Sequence, residues 1–445
     1  MTFDELNLNK SLLNALGDLG YQTPTTIQQK VFSVMMSGRD VCGIAQTGTG
    51  KTLAYLLPCL RQLQFTKEKL PQILILVPTR ELVVQVEETV QKLSTYLSLR
   101  VVGVYGGSNI KSQMADLQQG ADLVVATPGR LIDLALNGSL KLKGIKRLVI
   151  DEVDEMLNLG FRAQLNTVLD LLPPRRQNLL FSATMTDEVE KLIVAHFNSP
   201  VLVEAAPAGT PLENITQLGY EVPNFYTKVN FLKWVLSQDT DMTRVLIFVA
   251  TKQLADQLYE EIEARFRDNV GVIHSNKAQN HRFNVVRRFK EGEYRILIAT
   301  DIIARGLDIA EVSHVINFDL PDDPESYIHR IGRTGRADQK GIAISFVTEK
   351  ERELLAAIEG LMNYNIPLAP LPDEVEVSEV LTEEEMPRIQ MKNSEVKPPR
   401  PEAGGGAFHE KAEKNKKVNV RRNHREEMMK KYGKPIKKSR KNKGD

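Results

Sequence analysis

Ala45-Gln46-Thr47-Gly48-Thr49-Gly50-Lys51-Thr52 carries the residue types that a polyphosphate requires. Glycines let backbone amides approach the phosphates, a lysine reaches the β/γ-phosphates, and a final threonine hydroxyl can ligate Mg²⁺. Further along, Asp151-Glu152-Val153-Asp154 closes an apolar run. It supplies what the loop lacks: Asp151 to hold a metal, and Glu152 beside it to handle an attacking water. Neither segment decides alone. The loop opens on Ala45 where the general pattern has glycine, and an acidic cluster is by default a solvated helix start. Context changes both readings. Residues 39–44 read as a strand entering the loop, and Leu53 to Leu60 as the helix leaving it. Leu148-Val149-Ile150 reads as a buried strand delivering Asp151 and Glu152 to its C-terminal edge, where ligands bind in open α/β sheets. The pair describes a nucleotide-hydrolysing site.

The elements around these residues are those of α/β domains. The chain has 445 residues, enough for two or three cores. Residues 1–205 alternate short apolar runs with helical patterns, with strands expected at Ile73–Val77, Val101–Val104, Leu123–Ala126, Leu148–Ile150 and Asn178–Phe181. Residues 206–216 form a small-residue, Pro/Gly-containing linker. A second alternation occupies 217–365, with strands at Val245–Val249, Val270–Ile273, Ile296–Ala299, Val315–Asn317 and Ile342–Phe346. It contains no phosphate loop, so it is expected to contribute residues across a cleft to the site of the first. Beyond 365 the pattern stops. An acidic stretch and then a basic one, hinged at Gly404-Gly405-Gly406, predict a low-complexity tail over 366–445, mostly disordered.

Charge is segregated. Residues 411–445 carry 15 Lys/Arg against 4 Asp/Glu, a net of +11, which leaves −10 on the other 410 residues. A basic arm on an acidic body points to a polyanionic partner. Cys42 and Cys59 lie in apolar settings and read as small buried hydrophobes, so no disulfide framework is expected and the compartment is reducing. The first residues lack the basic and apolar regions of a signal peptide, and the apolar runs are too short to span a bilayer. The expectation is a cytoplasmic protein with no membrane partner.

Further segments fall at strand ends. They include Pro78-Thr79-Arg80-Glu81-Leu82, Thr127-Pro128-Gly129-Arg130 and Ser182-Ala183-Thr184 in the first half. The second half adds Ala299-Thr300-Asp301, Ala304-Arg305-Gly306-Leu307-Asp308 and His329-Arg330-Ile331-Gly332-Arg333-Thr334-Gly335-Arg336. In this order the set resembles the DEAD-box family of ATP-dependent RNA helicases of superfamily 2, over roughly residues 3–350. An adenine-reading Q motif within 1–29, with Phe3 and Gly20 to Gln28, belongs to the resemblance. His274 to Gln279 and the basic tail look like the bacterial RhlE-type group.

The resemblance implies two tandem RecA-like doubly wound parallel-sheet domains, with ATP and Mg²⁺ as cofactors and RNA as partner. Phe3, Tyr21 and Gln28 would meet the adenine, Gln28 through an amide that both donates and accepts. Ala45, Gln46, Thr47, Gly48, Thr49, Gly50 and Lys51 would hold the phosphates, and Thr52 with Asp151 the metal, partly through water. Glu152 would activate water, Arg333 and Arg336 would act as arginine fingers, and Asp308 would accept from the ribose. Ser182, Thr184 and His329 would relay hydrolysis to domain movement.

RNA would lie across Thr79, Arg80, Gly106, Gly107, Thr127 and Arg130 of the first half and Thr251, Gly271, Thr300 and Arg305 of the second. These groups suit phosphate and sugar, so little base readout is expected, with the basic tail as an added anchor. Ribosome-assembly or RNA-decay proteins are the candidate protein partners of a monomeric core. Alternatives are an ATP-gated RNA clamp or annealing factor, and a DNA translocase. Val153 stands where the family name has alanine; it adds two methyl groups under the metal site and leaves Asp151, Glu152 and Asp154 in place.

Overall fold

The computed structural model describes residues 2–45, 49–66, 68–204, 214–238, 241–301, 312–335, 340–383 and 385–386. Gln46, Thr47, Gly48, Arg305, Asp308, Arg336 and the basic tail lie outside the described residues.

Short runs of β-branched residues and leucine build the first sheet: β1 (Val41–Ile44), β2 (Ile73–Leu76), β3 (Val101–Val104), β4 (Leu123–Ala126), β5 (Arg147–Ile150), β6 (Gln177–Ser182) and β7 (Val201–Glu204). Their spatial order is β3-β4-β2-β5-β6-β1-β7, and every pairing is parallel. Alternation along each strand feeds two cores. Ile73 and Ile75 pack on one face of the sheet, Leu74 and Leu76 on the other. Both faces are covered by helices, which is why these strands read as continuous apolar runs.

A second sheet repeats the plan with β8 (Ile215–Glu221), β9 (Val245–Phe248), β10 (Val270–Ile273), β11 (Ile296–Ala299), β12 (His314–Asn317), β13 (Gly341–Val347) and β14 (Leu368–Ala369). Its order, β10-β11-β9-β12-β13-β8-β14, matches the first strand for strand. The expected two doubly wound parallel sheets are therefore present. Among the described residues no helix is long and apolar enough to cross a membrane. Cys42 and Cys59 are free and buried, and burial pushes both thiols up to about 12.

Two expected boundaries shift. Ile215 and Thr216, assigned to the linker, already pair with Gly341 and Ile342 in the sheet. Residues 366–386, assigned to the low-complexity tail, pack on the second domain as a strap. Leu368 and Ala369 pair with Gly219 and Tyr220 and supply the counterpart of β7. Val375 is buried in the cluster around Phe231 and Phe346. The Ser378 amide donates to Thr227 Oγ1 (3.0 Å), and the Phe225 amide donates to Glu385 Oε1 (2.7 Å). A two-residue strand and a valine that is buried while its neighbours Val377 and Val380 stay exposed give little apolar signal among acidic residues, so the strap was illegible before the fold.

Candidate active site

Both sheets turn their C-terminal edges toward the residues singled out above. Gly50, with φ +89°, caps the helix Lys51–Arg61 in the left-handed region that only glycine enters freely. Lys51 is 7 % exposed, and its Nζ has no hydrogen-bond partner among the described residues. A buried lone ammonium is costly unless a ligand completes it. Asp151 leaves β5 opposite it, and burial raises the carboxyl while Lys51 opposes the rise. Glu152 takes φ 52°, ψ 50°, a turn that ends the strand and starts the helix Val153–Asn158. Burial pushes its carboxyl up to about 8, against the pull of Lys51 and Arg333. That range suits a group that takes a proton from water near neutral pH. Tyr55, absent from the sequence-level set, buries its ring against Phe181 (centroids 5.4 Å apart) and aims its hydroxyl at Asp151, which raises the phenol further after burial.

These groups line one cavity of about 530 Å³. Gly50, Lys51, Thr52, Asp151 and Glu152 come from the first domain, and Arg333 and Lys290 enter from the second. At its mouth Tyr21 is 48 % exposed. The Gln28 carboxamide is already engaged. Its oxygen accepts from the Thr25 amide (2.9 Å) in a capping box, and its nitrogen donates to the Gly50 carbonyl (3.2 Å). Gln28 thus ties the start of the helix Thr26–Met36 to the turn before Lys51, with one donor and one acceptor position left over. Phe3 is not at the cavity. It is 4 % exposed and packs in the core with Leu12 and Leu16. An aromatic next to a helix start is drawn into the core by its apolar area.

Asp154 is the site's principal addition to the expected set. It is 2 % exposed, and its Oδ2 accepts from the Ala183 amide (2.9 Å), the Thr184 amide (3.0 Å) and Thr184 Oγ1 (3.1 Å). Oδ1 accepts from the Glu155 amide (3.0 Å). His329 Nε2 of the second domain stands 3.9 Å from Oδ2. Burial alone would raise this carboxyl, yet His329, Lys51 and the hydrogen bonds hold it below its ordinary value. Thr184 Oγ1 also lies 3.0 Å from Glu325 Oε2, again across the domains. Ser182 is fully buried behind this cluster. The spacing held a signal in the second domain, where Glu325 is one turn before His329 on the helix Pro324–Ile331.

On the other rim, Thr79 and Thr251 occupy equivalent places. Each lies three residues past its strand and caps the following helix, accepting from the Leu82 (3.3 Å) and Leu254 (3.2 Å) amides. Arg80 lies against Gly107, whose φ of +78° and lack of a Cβ admit the guanidinium. Gly106 and Thr127 are adjacent at the ends of β3 and β4. Arg130 is spent internally: it donates to Gln113 Oε1 (2.9 Å) and the Ser108 carbonyl (3.2 Å), which stiffens the Gly106–Gly107 loop. Thr300 ends β11 beside Asp301, which a bidentate Arg330 holds at 2.6 Å on both oxygens. Gly271 does not face this rim. It is buried inside β10, where Tyr294 and Val285 occupy the space a side chain would need. The two domains also meet directly at this rim. Gln279 Nε2 donates to Glu81 Oε1 (2.8 Å), Arg80 Nη1 donates to Gln279 Oε1 (3.3 Å), and Arg282 pairs with Glu81.

Two family models match, a DEAD/DEAH box helicase over residues 25–192 and a helicase conserved C-terminal domain over 227–338. RNA helicase CrhR of Synechocystis is 40 % identical over 376 residues, covering 84 % of this chain and 76 % of that protein. The chain belongs to the DEAD-box family of ATP-dependent RNA helicases. ATP-dependent RNA helicase DeaD of Mycobacterium tuberculosis is 41 % identical over 378 residues; the match covers 85 % of this chain and 66 % of that longer protein. Among solved structures, S. cerevisiae Dbp5 bound to RNA and ADP BeF3 matches with a TM-score of 0.76 at 33 % identity, over 83 % of this chain and 95 % of that one. Mss116p bound to ssRNA and AMP-PNP matches with a TM-score of 0.77 at 28 % identity, over 84 % and 80 %. This DEAD-box chain carries Lys51, Asp151, Glu152 and Arg333 on one rim of the interdomain cleft and its second row of hydroxyls and guanidiniums on another.

Proposed function

We propose that the chain hydrolyses ATP when RNA draws its two domains together, and that closure locally separates short RNA duplexes or remodels RNA–protein complexes. The observation that carries this reading is the cavity itself: Lys51, Asp151 and Glu152 reach it from one sheet, Arg333 from the other. A half-built site requires closure. Lys51 and the loop amides hold the phosphates, Glu152 orients and deprotonates the attacking water, and Arg333 meets charge developing on the γ-phosphoryl oxygens. Tyr21 and the free valences of Gln28 receive the adenine. Thr52 and Asp151 fit Mg²⁺: a hydroxyl and a carboxylate beside an unpartnered buried ammonium are the donor set a metal–phosphate pair completes. When bound, the ion neutralises phosphate charge.

Asp154 relays occupancy of this site to the second domain through Thr184, Glu325 and His329. Thr79, Arg80, Thr251 and Thr300 grip the RNA backbone, and because ATP and RNA both favour the closed form, each tightens the other. Ribosome-assembly or RNA-decay complexes are the proposed setting. The test is ATP hydrolysis with and without RNA, in the wild type and in Glu152→Gln. RNA stimulation that disappears in the variant supports the reading. Turnover indifferent to both sinks it.

A further inference from the structure

The second domain holds a counterpart of the nucleotide pocket, and the protein fills it with its own side chains. The registers match residue for residue. Leu76 pairs with Ile150 at the ends of β2 and β5, and Phe248 pairs with Asn317 at the ends of β9 and β12. Two residues further on stand Glu152 in one domain and Asp319 in the other. The strand β8, equivalent to β1, leads into the helix Phe225–Gln238 as β1 leads into Lys51–Arg61. A cavity of about 370 Å³ lies there, lined by Phe225, Lys228, Leu254, Asp319, Glu351 and Glu385.

In place of a phosphate, the strap's Glu385 accepts from the first amide of that helix (2.7 Å). In place of a free lysine, Lys228 donates to Asp319 Oδ1 and Glu351 Oε2, both at 3.0 Å. Burial works against the ammonium, but the two carboxylates hold it above its ordinary value. Asp319 has two further duties. Its Oδ2 accepts from the Ala250 amide (3.0 Å), immediately before Thr251, and its carbonyl accepts from Arg330 (2.6 Å), between His329 and Arg333.

We infer that Lys228 and Asp319 are positioning residues, which plug this second pocket and so hold the Ala250–Thr251 turn in the geometry that grips RNA. The inference rests on the helicase reading above, since that turn matters only if RNA meets it. Lys228 supplies the donor that fixes Asp319 in place. Asp319 supplies the acceptor that orients the turn.

The experiment is RNA-stimulated ATP hydrolysis by the full chain, titrated with single-stranded poly(U), alongside thermal melting. Asp319→Asn keeps an oxygen for the Ala250 amide and loses the ion pair. It should melt lower while its half-saturating RNA concentration stays within about twofold of wild type, because the oriented acceptor survives. Lys228→Met combined with Asp319→Leu removes two of the three buried charges and leaves Glu351 with only its amide and hydroxyl donors, so it should melt lower than wild type. Its half-saturating RNA concentration should rise about tenfold, with a smaller change in kcat. If that double variant does not fold, Asp319→Ala, which leaves Lys228 paired with Glu351, takes its place. A stable variant without the acceptor that binds RNA as wild type does overturns the inference. A wild type indifferent to RNA removes the parent reading and this inference with it.

Discussion

Asp154→Asn separates the stability of the cleft from its signalling. The amide can turn its oxygen toward Ala183 and Thr184, keeping those bonds, but its nitrogen then faces the Glu155 amide, donor against donor. Losing one hydrogen bond to a charged acceptor costs about 1.5–3 kcal/mol, and the remaining bonds weaken with the charge, so a total near 3 kcal/mol is expected. The same change removes the charge that His329 meets at 3.9 Å. A unit pair at that distance is worth about 4 kcal/mol at an effective dielectric of 20, and the exposed cleft reduces a measured coupling to about 1–2 kcal/mol. The assay is a double-mutant cycle with His329→Gln, reading kcat for ATP hydrolysis at saturating RNA. The cycle is run at pH 6 and at pH 8.5, and because all four proteins keep Glu152, its own ionisation near pH 8 cancels. Effects that add within about 0.5 kcal/mol at both pH values would refute the relay.

Val153→Ala should lower stability by about 1–3 kcal/mol by hollowing the cluster beneath the metal site, yet leave turnover within about twofold, since Asp154 holds the turn; melting and kcat check it. Glu152→Gln should abolish turnover while raising the melting temperature of the nucleotide-free protein. The folded carboxyl titrates at about 8, above its unfolded value, so ionisation costs stability at every pH above the unfolded value, and the gain should grow up to about pH 8. A variant that melts lower at pH 8 contradicts this. A chain ending at Asn365 should lose the β14 pairing, Val375 and the Glu385 bond, and its second domain should melt lower; a chain ending at Met386 should not. Equal melting of the two would place the strap outside the domain's core.

The fold was readable because parallel strands buried on both faces are written as local apolar runs. Val101–Val104, Leu123–Ala126, Val270–Ile273 and Ile296–Ala299 have the expected ends. That Lys51, Thr52, Asp151, Glu152 and Arg333 share one cavity was readable because phosphate chemistry, which the sequence pattern suggested, asks for particular types at fixed offsets. Roles that depend on long-range contact were not. Phe3 has the composition of a stacking residue and the surroundings of a core one. Gly271 sits in a strand whose neighbours Tyr294 and Val285 are remote in sequence. Arg130 has the form of a phosphate grip, but Gln113 and Ser108 use it. Asp154 was visible as a letter of the acidic tetrad, and its four donors came into view only when β5 and β6 were laid side by side.

The duplicated sheet shows how one architecture yields one catalytic and one mechanical half. Glu152 and Asp319 share a register position, and both are acids at the C-terminal edge of a parallel sheet. What separates them is the lysine opposite. Among the described residues Lys51 Nζ makes no hydrogen bond, so the first pocket has donors left for a ligand. Lys228 is closed off by Asp319 and Glu351, so the second pocket's lysine needs no ligand. A site that is finished internally is stiff, and a site left unfinished is sensitive. Domain closure requires both properties, because a nucleotide can move the second domain as a body only if that body does not yield at its own pocket.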